Sequence, residues 1–221
     1  LTVSNVNANC SFGYWRHAPP EPYFEPSLIS PNPQHRDDRR RLILRTIDFA
    51  AAIGAGSISI TTGRCLAGMP PHQARGQLVE SLEPVLAAAE RAGVNVGIEC
   101  EPGLYVEWAA ELVELIDRVG SPRLGANWDV GHSVVMGEDL AAAAGLLLGR
   151  IWNLHVEDLP GRKHYHTIPG RGTFDWAGLR SILHSIGYDG FATVELYTET
   201  AEPTVAAEAS FRFLKKWRED A

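Results

Sequence analysis

Apolar residues in this chain follow two rhythms. In six short runs they are contiguous or alternate with polar residues: 1–9, 57–61, 94–99, 124–129, 151–155 and 191–195. Such runs, rich in Val, Ile and Thr and bounded by Gly or Asn, read as strands. Between them apolar residues recur every three or four positions. Helices are therefore expected over 39–55, 72–92, 107–119, 138–148 and 203–217, and in a segment capped by Asp175. Over 107–119, Leu112, Leu115, Ile116 and Val119 stand at i, i+3, i+4 and i+7, one face of a helix. Asp175 is a good N-cap for the apolar stripe Leu179, Ile182, Leu183 and Ile186, and Gly93 is a good stop for the helix before it. Strands and helices in alternation predict βαβ units and a parallel sheet.

A Pro-rich segment, 19–33, interrupts the alternation. Its prolines forbid regular structure over most of its length. It is long for a connection, so it reads either as a lid or as a loop packed over one end of the sheet. Six strands and six helices fall two units short of a closed (β/α)8 barrel, which usually needs about 250 residues. The expectation is one α/β domain over the 221 residues, a (β/α)8 TIM barrel lacking its first two units in the chain as given. An open sheet exposes two edges, so a longer native N-terminus is expected.

Composition narrows the function classes. Hydrophobic residues make up 45% and charged residues 21%, as in ordinary soluble globular proteins. The net charge of -7 argues against a general attraction to nucleic acid. The basic run 36–45 reads as a solvated helix start. Cys10, Cys65 and Cys100 form no CxxC pair and no disulfide framework, which suits a reducing, cytoplasmic setting. No run is long and apolar enough for a membrane span, and no signal-peptide pattern opens the chain.

The candidate chemistry sits at strand ends. Glu99, Asp129, His155 and Glu195 each close one of four consecutive strand runs. Strand C-termini of a parallel barrel open on one face, where active sites are built. Two Glu, one Asp and one His converging there suit a divalent metal with positions left for substrate oxygens. The bland alternative is four strand-end carboxylates and imidazoles paired with basic residues.

The order of Ile98-Glu99-Cys100-Glu101-Pro102, Asp129-Val130-Gly131-His132, His155-Val156-Glu157-Asp158, His164-Tyr165-His166, Pro169-Gly170-Arg171-Gly172 and Val194-Glu195-Leu196 resembles the xylose-isomerase-like TIM-barrel superfamily. That superfamily joins sugar isomerases and epimerases to zinc endonucleases for abasic sites. The resemblance implies one divalent ion (Mn2+, Mg2+, Co2+ or Zn2+) held by Glu99, Asp129, His155 and Glu195. It also implies that Glu99 and Glu195 act as an acid/base pair on opposite sides of the substrate. One removes a proton α to a carbonyl and the other returns it, through an enediolate that the metal stabilises. The expected activity is isomerisation or epimerisation of a sugar, ketose or related polyol.

His132, Glu157, His166 and Arg162 are the expected substrate contacts. The resemblance also leaves open a second metal on His132, His164 and His166, which matches the endonuclease branch in part. Hydrogen bonding of these imidazoles to a polyol or phosphate is the favoured reading. Two further histidines of the endonuclease branch have no counterpart here: the matching strand ends carry Asn7, Asn9, Thr61 and Thr62. The alternatives are a zinc phosphoesterase, a lyase or dehydratase on a similar hydroxy-carbonyl compound, and a sugar-binding module without turnover. The expected partner is a small sugar or polyol, with no nucleic acid and no membrane; assembly into a homo-oligomer stays open.

Overall fold

Among the described residues, six parallel strands pair strictly in chain order. The computed structural model describes residues 1–9 and 24–219. The elements run β1 (Val6–Asn7), α1 (Pro33–Ile53), β2 (Ser57–Ile60), α2 (Pro71–Ala92), β3 (Asn95–Ile98), α3 (Ala109–Val119), β4 (Leu124–Asp129), α4 (Val130–Met136), α5 (Leu140–Leu146), β5 (Ile151–Val156), α6 (Trp176–Ser185), β6 (Ala192–Val194) and α7 (Pro203–Glu219).

The alternation of β-branched strands with amphipathic helices produces this order for a simple reason. Strands buried on both faces need helices against them, and Ile58, Ile60, Val96, Ile98, Leu124 and Leu154 are almost wholly buried. The helices answer with Ile43 and Ile47 from α1, Leu78, Leu82 and Val85 from α2, and Leu112 from α3, also buried. Each such side chain contributes about 1.5–3 kcal/mol by leaving water.

The sheet is curled as a barrel is. In a flat sheet β1 and β6 would stand roughly 24 Å apart, at about 4.8 Å per step. Yet Thr193 Oγ1 of β6 lies 3.2 Å from Ser4 Oγ, just before β1, and 3.0 Å from Asn153 Oδ1 of β5. Asn153 donates in turn to Asn127 Oδ1 of β4 at 2.7 Å. This polar thread lines the concave face beneath the strand ends.

Register sets the site. Asp129 and His155 are Cα partners on β4 and β5. Glu99 N–H donates to Ile60 O just past β3, and Glu195 N–H donates to Val156 O just past β6. The four expected residues therefore stand side by side on one rim.

The structure differs from the sequence expectation in four respects. The first strand, expected over 1–9, pairs only at Val6 and Asn7, because asparagine side chains take over: Asn9 Oδ1 accepts from Thr61 N–H at 2.8 Å where the ladder would continue. The first helix starts earlier, at Pro33, with the Asn32 side chain as its cap. The region expected as one helix, 138–148, is preceded by an unforeseen one, α4, capped by Asp129 and closed by Gly137 at φ +82°. The basic run 36–45 is not wholly solvated: Arg39 is buried and donates to Ala8 O at 2.7 Å. Of the Pro-rich segment, 19–23 lie outside the described residues. From Phe24 to Asn32 it is an irregular packed loop, with Leu28 and Ile29 fully buried and Leu28 O accepting from Ser81 Oγ at 2.8 Å. No described helix is long and apolar enough to cross a membrane.

Candidate metal centre

Glu99, Asp129, His155 and Glu195 each place one ligand atom within 4.8 Å of the others. His155 Nδ1 lies 2.9 Å from Glu99 Oε1, 3.6 Å from Glu195 Oε1 and 3.9 Å from Asp129 Oδ2. Asp129 Oδ1 is spent on capping α4, accepting from His132 N–H at 2.8 Å. Its Oδ2 is buried and has no hydrogen-bond partner. A buried carboxylate oxygen without a donor is costly unless it meets a cation. This orphan, among two glutamates and an imidazole, fits a divalent ion held by these four residues.

Next to this group lies a histidine cluster. His132 Nε2 and His164 Nε2 are 3.0 Å apart, and His166 packs at 5.6 Å and 5.4 Å from them, centroid to centroid. All three also offer atoms within 4.8 Å of one another. His132 Nδ1 lies 3.1 Å from Cys100 O, and α4, which carries His132, is tied down through Ser133. The Ser133 hydroxyl accepts from Trp128 Nε1 at 3.0 Å and donates to Glu138 Oε2 at 2.7 Å. His166 Nδ1 lies 3.0 Å from Glu195 O, linking the cluster to the first group.

The loop bearing His164 and His166 is anchored by Asp158. Its carboxylate accepts from Leu159, Gly170 and Phe174 N–H and from Trp176 Nε1, at 2.8 to 3.0 Å. A paired bridge from Asp158 to Thr167 closes the same loop.

Glu101 belongs to the site although sequence reasoning gave it no role. Glu101 Oε2 lies 3.8 Å from His132 Nε2, and its Oε1 lies 4.0 Å from His164 Nε2. Its place two residues past Glu99 was the available signal. Tyr197 stacks at 4.4 Å from His166 and is half exposed, so it walls the site rather than filling the core. Arg162, expected at the substrate, is instead drawn to the end of α4, where Nε and Nη2 donate to Val134 O and Val135 O at 3.1 and 3.3 Å. The free carbonyls of a helix C-terminus attract a cation in this way. Glu157 is fully buried and points toward Asp129 and His166.

Electrostatics set the protons of the metal-free site. Burial, then Glu99, pushes the Glu195 carboxyl up to about 7. Burial pushes Glu101 up to about 8. Burial alone would lower His155, but the hydrogen bond and charge of Glu99 outweigh it and raise it to about 9. His132 rises to about 9 against the same burial, through Asp129 and Glu101. Burial holds His164 down to about 4. The first four groups keep protons when folded that the unfolded chain releases, the acids from their ordinary 4.5 upward and the histidines from 6.5. Their contribution is present at low pH and fades as pH rises through the folded values. His164 acts oppositely, but its window closes by 6.5. The metal-free protein is therefore expected to lose stability between about pH 6.5 and 9, and a divalent ion that replaces those protons should restore it. Thermal unfolding across that range with and without Mn2+ checks this; a flat metal-free profile would contradict it.

A curled parallel sheet with carboxylates and imidazoles gathered at its strand C-termini defines a barrel-type protein with a candidate metal site. The family described as xylose isomerase-like TIM barrel matches residues 9–217, and the chain belongs to it. It is 29% identical over 161 residues to a fructoselysine 3-epimerase of Shigella flexneri, a match covering 71% of this chain and 58% of that relative. The chain thus spans under two thirds of that relative. The 3-keto-D-glucoside 4-epimerase structure from E. coli aligns with a TM-score of 0.78 at 18% identity, over 99% of this chain and 80% of that one. The IolI protein with a bound zinc atom aligns at 0.72 and 20% identity, over 88% and 72%. Both structural likenesses establish the fold.

Proposed function

We propose that the chain carries the active site of a metal-dependent isomerase or epimerase of a sugar, ketose or related polyol. The observation that carries this reading is the buried, donor-less Asp129 Oδ2 among Glu99, His155 and Glu195. The 3-epimerase relative supports the reaction class. Glu99, Asp129, His155 and Glu195 would hold one divalent ion, Mn2+, Mg2+, Co2+ or Zn2+. When bound, that ion supplies polarisation of the substrate carbonyl.

The chain's own residues supply the proton transfers. Glu99 is buried and oriented by His155, whereas the Glu195 side chain is 29% exposed and faces the open part of the site. A positioned carboxylate can both take and return a proton. Glu195 would act on one side of the carbon next to the carbonyl, and Glu99 on the other. His132, Glu101 and His164 present donors and acceptors for substrate hydroxyls, and Tyr197 offers a ring face to the sugar carbons. In this reading Arg162 shapes the rim rather than binding substrate. A second ion on His132, His164 and His166 has less support, because His132 and His164 already satisfy one another at Nε2.

The test is a panel of ketoses and their 3-epimers in D2O with added Mn2+. The expected result is a product of unchanged elemental formula carrying solvent deuterium at the carbon beside the carbonyl. Loss of water would indicate a dehydratase, and release of phosphate from a phosphorylated panel would indicate a phosphoesterase.

A further inference from the structure

The loop that follows β5 meets α4 at two points. It is pinned on both sides of them. Gly161 N–H donates to Thr173 Oγ1 at 3.0 Å, and Thr167 and Asp158 exchange backbone hydrogen bonds at 2.8 and 2.9 Å. Between these pins Arg162 and His164 reach across to α4. Arg162 Nε and Nη2 donate to Val134 O and Val135 O at 3.1 and 3.3 Å, at the end of the helix. His164 Nε2 lies 3.0 Å from His132 Nε2, in its first turn. Two residues of one exposed loop thus hold both ends of one short helix.

The far side of these contacts is fixed. His132 Nδ1 lies 3.1 Å from Cys100 O, and its backbone N–H donates to Asp129 Oδ1 at 2.8 Å. Glu138 holds α4 as well: Oε2 accepts from the Ser133 hydroxyl at 2.7 Å, and Oε1 accepts from Ala109 N–H at 2.9 Å. The separation of His132 and His164 is therefore set from the loop. Gly137, which ends α4 at φ +82°, leaves room for the guanidinium, since a Cβ there would fall 2.2 Å from Arg162 Nη2. Gly120 ends α3 at φ +72° with nothing within 4 Å of its Cβ position. Both stops need a left-handed residue, but only Gly137 also makes way for a side chain.

We infer that Arg162 is a positioning residue: by clasping the end of α4 it holds His164 against His132 and sets the gap that a substrate hydroxyl must enter. One edge of the guanidinium is spent on helix carbonyls, as a cation at a helix C-terminus is. The effect on substrate rests on the proposed isomerase or epimerase reading. The clasp itself does not.

The test reads His164 directly, as its rate of carbethoxylation by diethyl pyrocarbonate, followed by mass spectrometry on the full-length chain. Arg162→Ala should raise that rate about tenfold, the factor expected from losing roughly one hydrogen bond to a charged group. Arg162→Lys keeps a cation that can reach the carbonyls and should restore most of the slow rate. Gly137→Ala pushes the guanidinium aside and should also speed the reaction. Gly120→Ala carries the same backbone strain without that clash and should leave it slow. Arg162→Ala combined with Gly137→Ala should react no faster than the faster single variant, because both break one clasp. An unchanged rate in Arg162→Ala overturns the inference, and so does an equal rise in Gly120→Ala. Rates are compared where unfolding curves show every variant folded. On whichever ketose of the panel the unaltered protein epimerises, Arg162→Ala should raise KM about tenfold with kcat nearly unchanged. A fall in kcat at unchanged KM overturns the positioning role. If no ketose turns over, the proposed reaction fails, while the reactivity of His164 still decides the clasp.

Discussion

Glu195→Gln is expected to cut turnover about 10²–10⁴-fold, the usual contribution of a positioned acid or base. The substitution keeps the size of the side chain and removes its proton-carrying charge. Glu195 sits at a rim position where it contacts His155 at 3.6 Å and, through its other oxygen, His166 Nδ1 at 3.6 Å. Glu99→Gln should be at least as damaging, because Glu99 also accepts the 2.9 Å contact from His155 Nδ1. The quantity to follow is deuterium uptake at the carbon beside the carbonyl, with Mn2+ stoichiometry read on the same samples. Uptake at the unaltered rate in Glu195→Gln, with metal still bound, would remove this residue from proton transfer. Loss of metal together with turnover would assign it to ligation first.

Asp158→Ala is expected to cost about 3–5 kcal/mol of stability. Four N–H groups converge on this buried carboxylate, and hydrogen bonds to a charged group contribute about 1.5–3 kcal/mol each before non-additivity. Alanine leaves the Trp176 indole and three backbone donors with no acceptor in a buried place. A typical domain has only about 5–15 kcal/mol in total, so the variant should sit near the edge of folding. The denaturant midpoint at an unchanged slope measures the loss. A shift under about 1 kcal/mol would mean that the loop carrying His164 and His166 is held by other contacts.

The sequence made some parts of this protein legible and hid others, for physical reasons. Glu99, Asp129, His155 and Glu195 could be read because a strand has a definite end, and parallel strands put all such ends on one rim. The inner strands β2 to β4 could be read because burial on both faces demands apolar runs. Helix α4 was missed because seven residues are too few to show a period of 3.6, and its start depends on Asp129 acting as cap and site residue at once. Glu101 was passed over because loop curvature, not periodicity, turns it toward the histidines. Arg162 was placed at the substrate because a basic residue near a site suggests an anion. The carbonyls at the end of α4 are a nearer demand, and nothing in the residue order announces them. Asp158 was noticed only as part of a motif; its four donors come from residues up to eighteen positions away.

The strictly sequential pairing of the strands has a dynamic consequence. In the strand ladders β2 to β5 are paired on both sides and the two margins on one side, with the Thr193–Ser4 contact tying the margins together. Asp129 and His155 ride on β4 and β5, each of which pairs with two neighbours. Glu195 follows β6, three residues long and paired on one side. Half of the candidate centre is thus built into the doubly paired part of the sheet. Glu195, the carboxylate proposed to give and take a proton, hangs from a margin paired on one side, where a small swing of the backbone changes its reach without disturbing the rest.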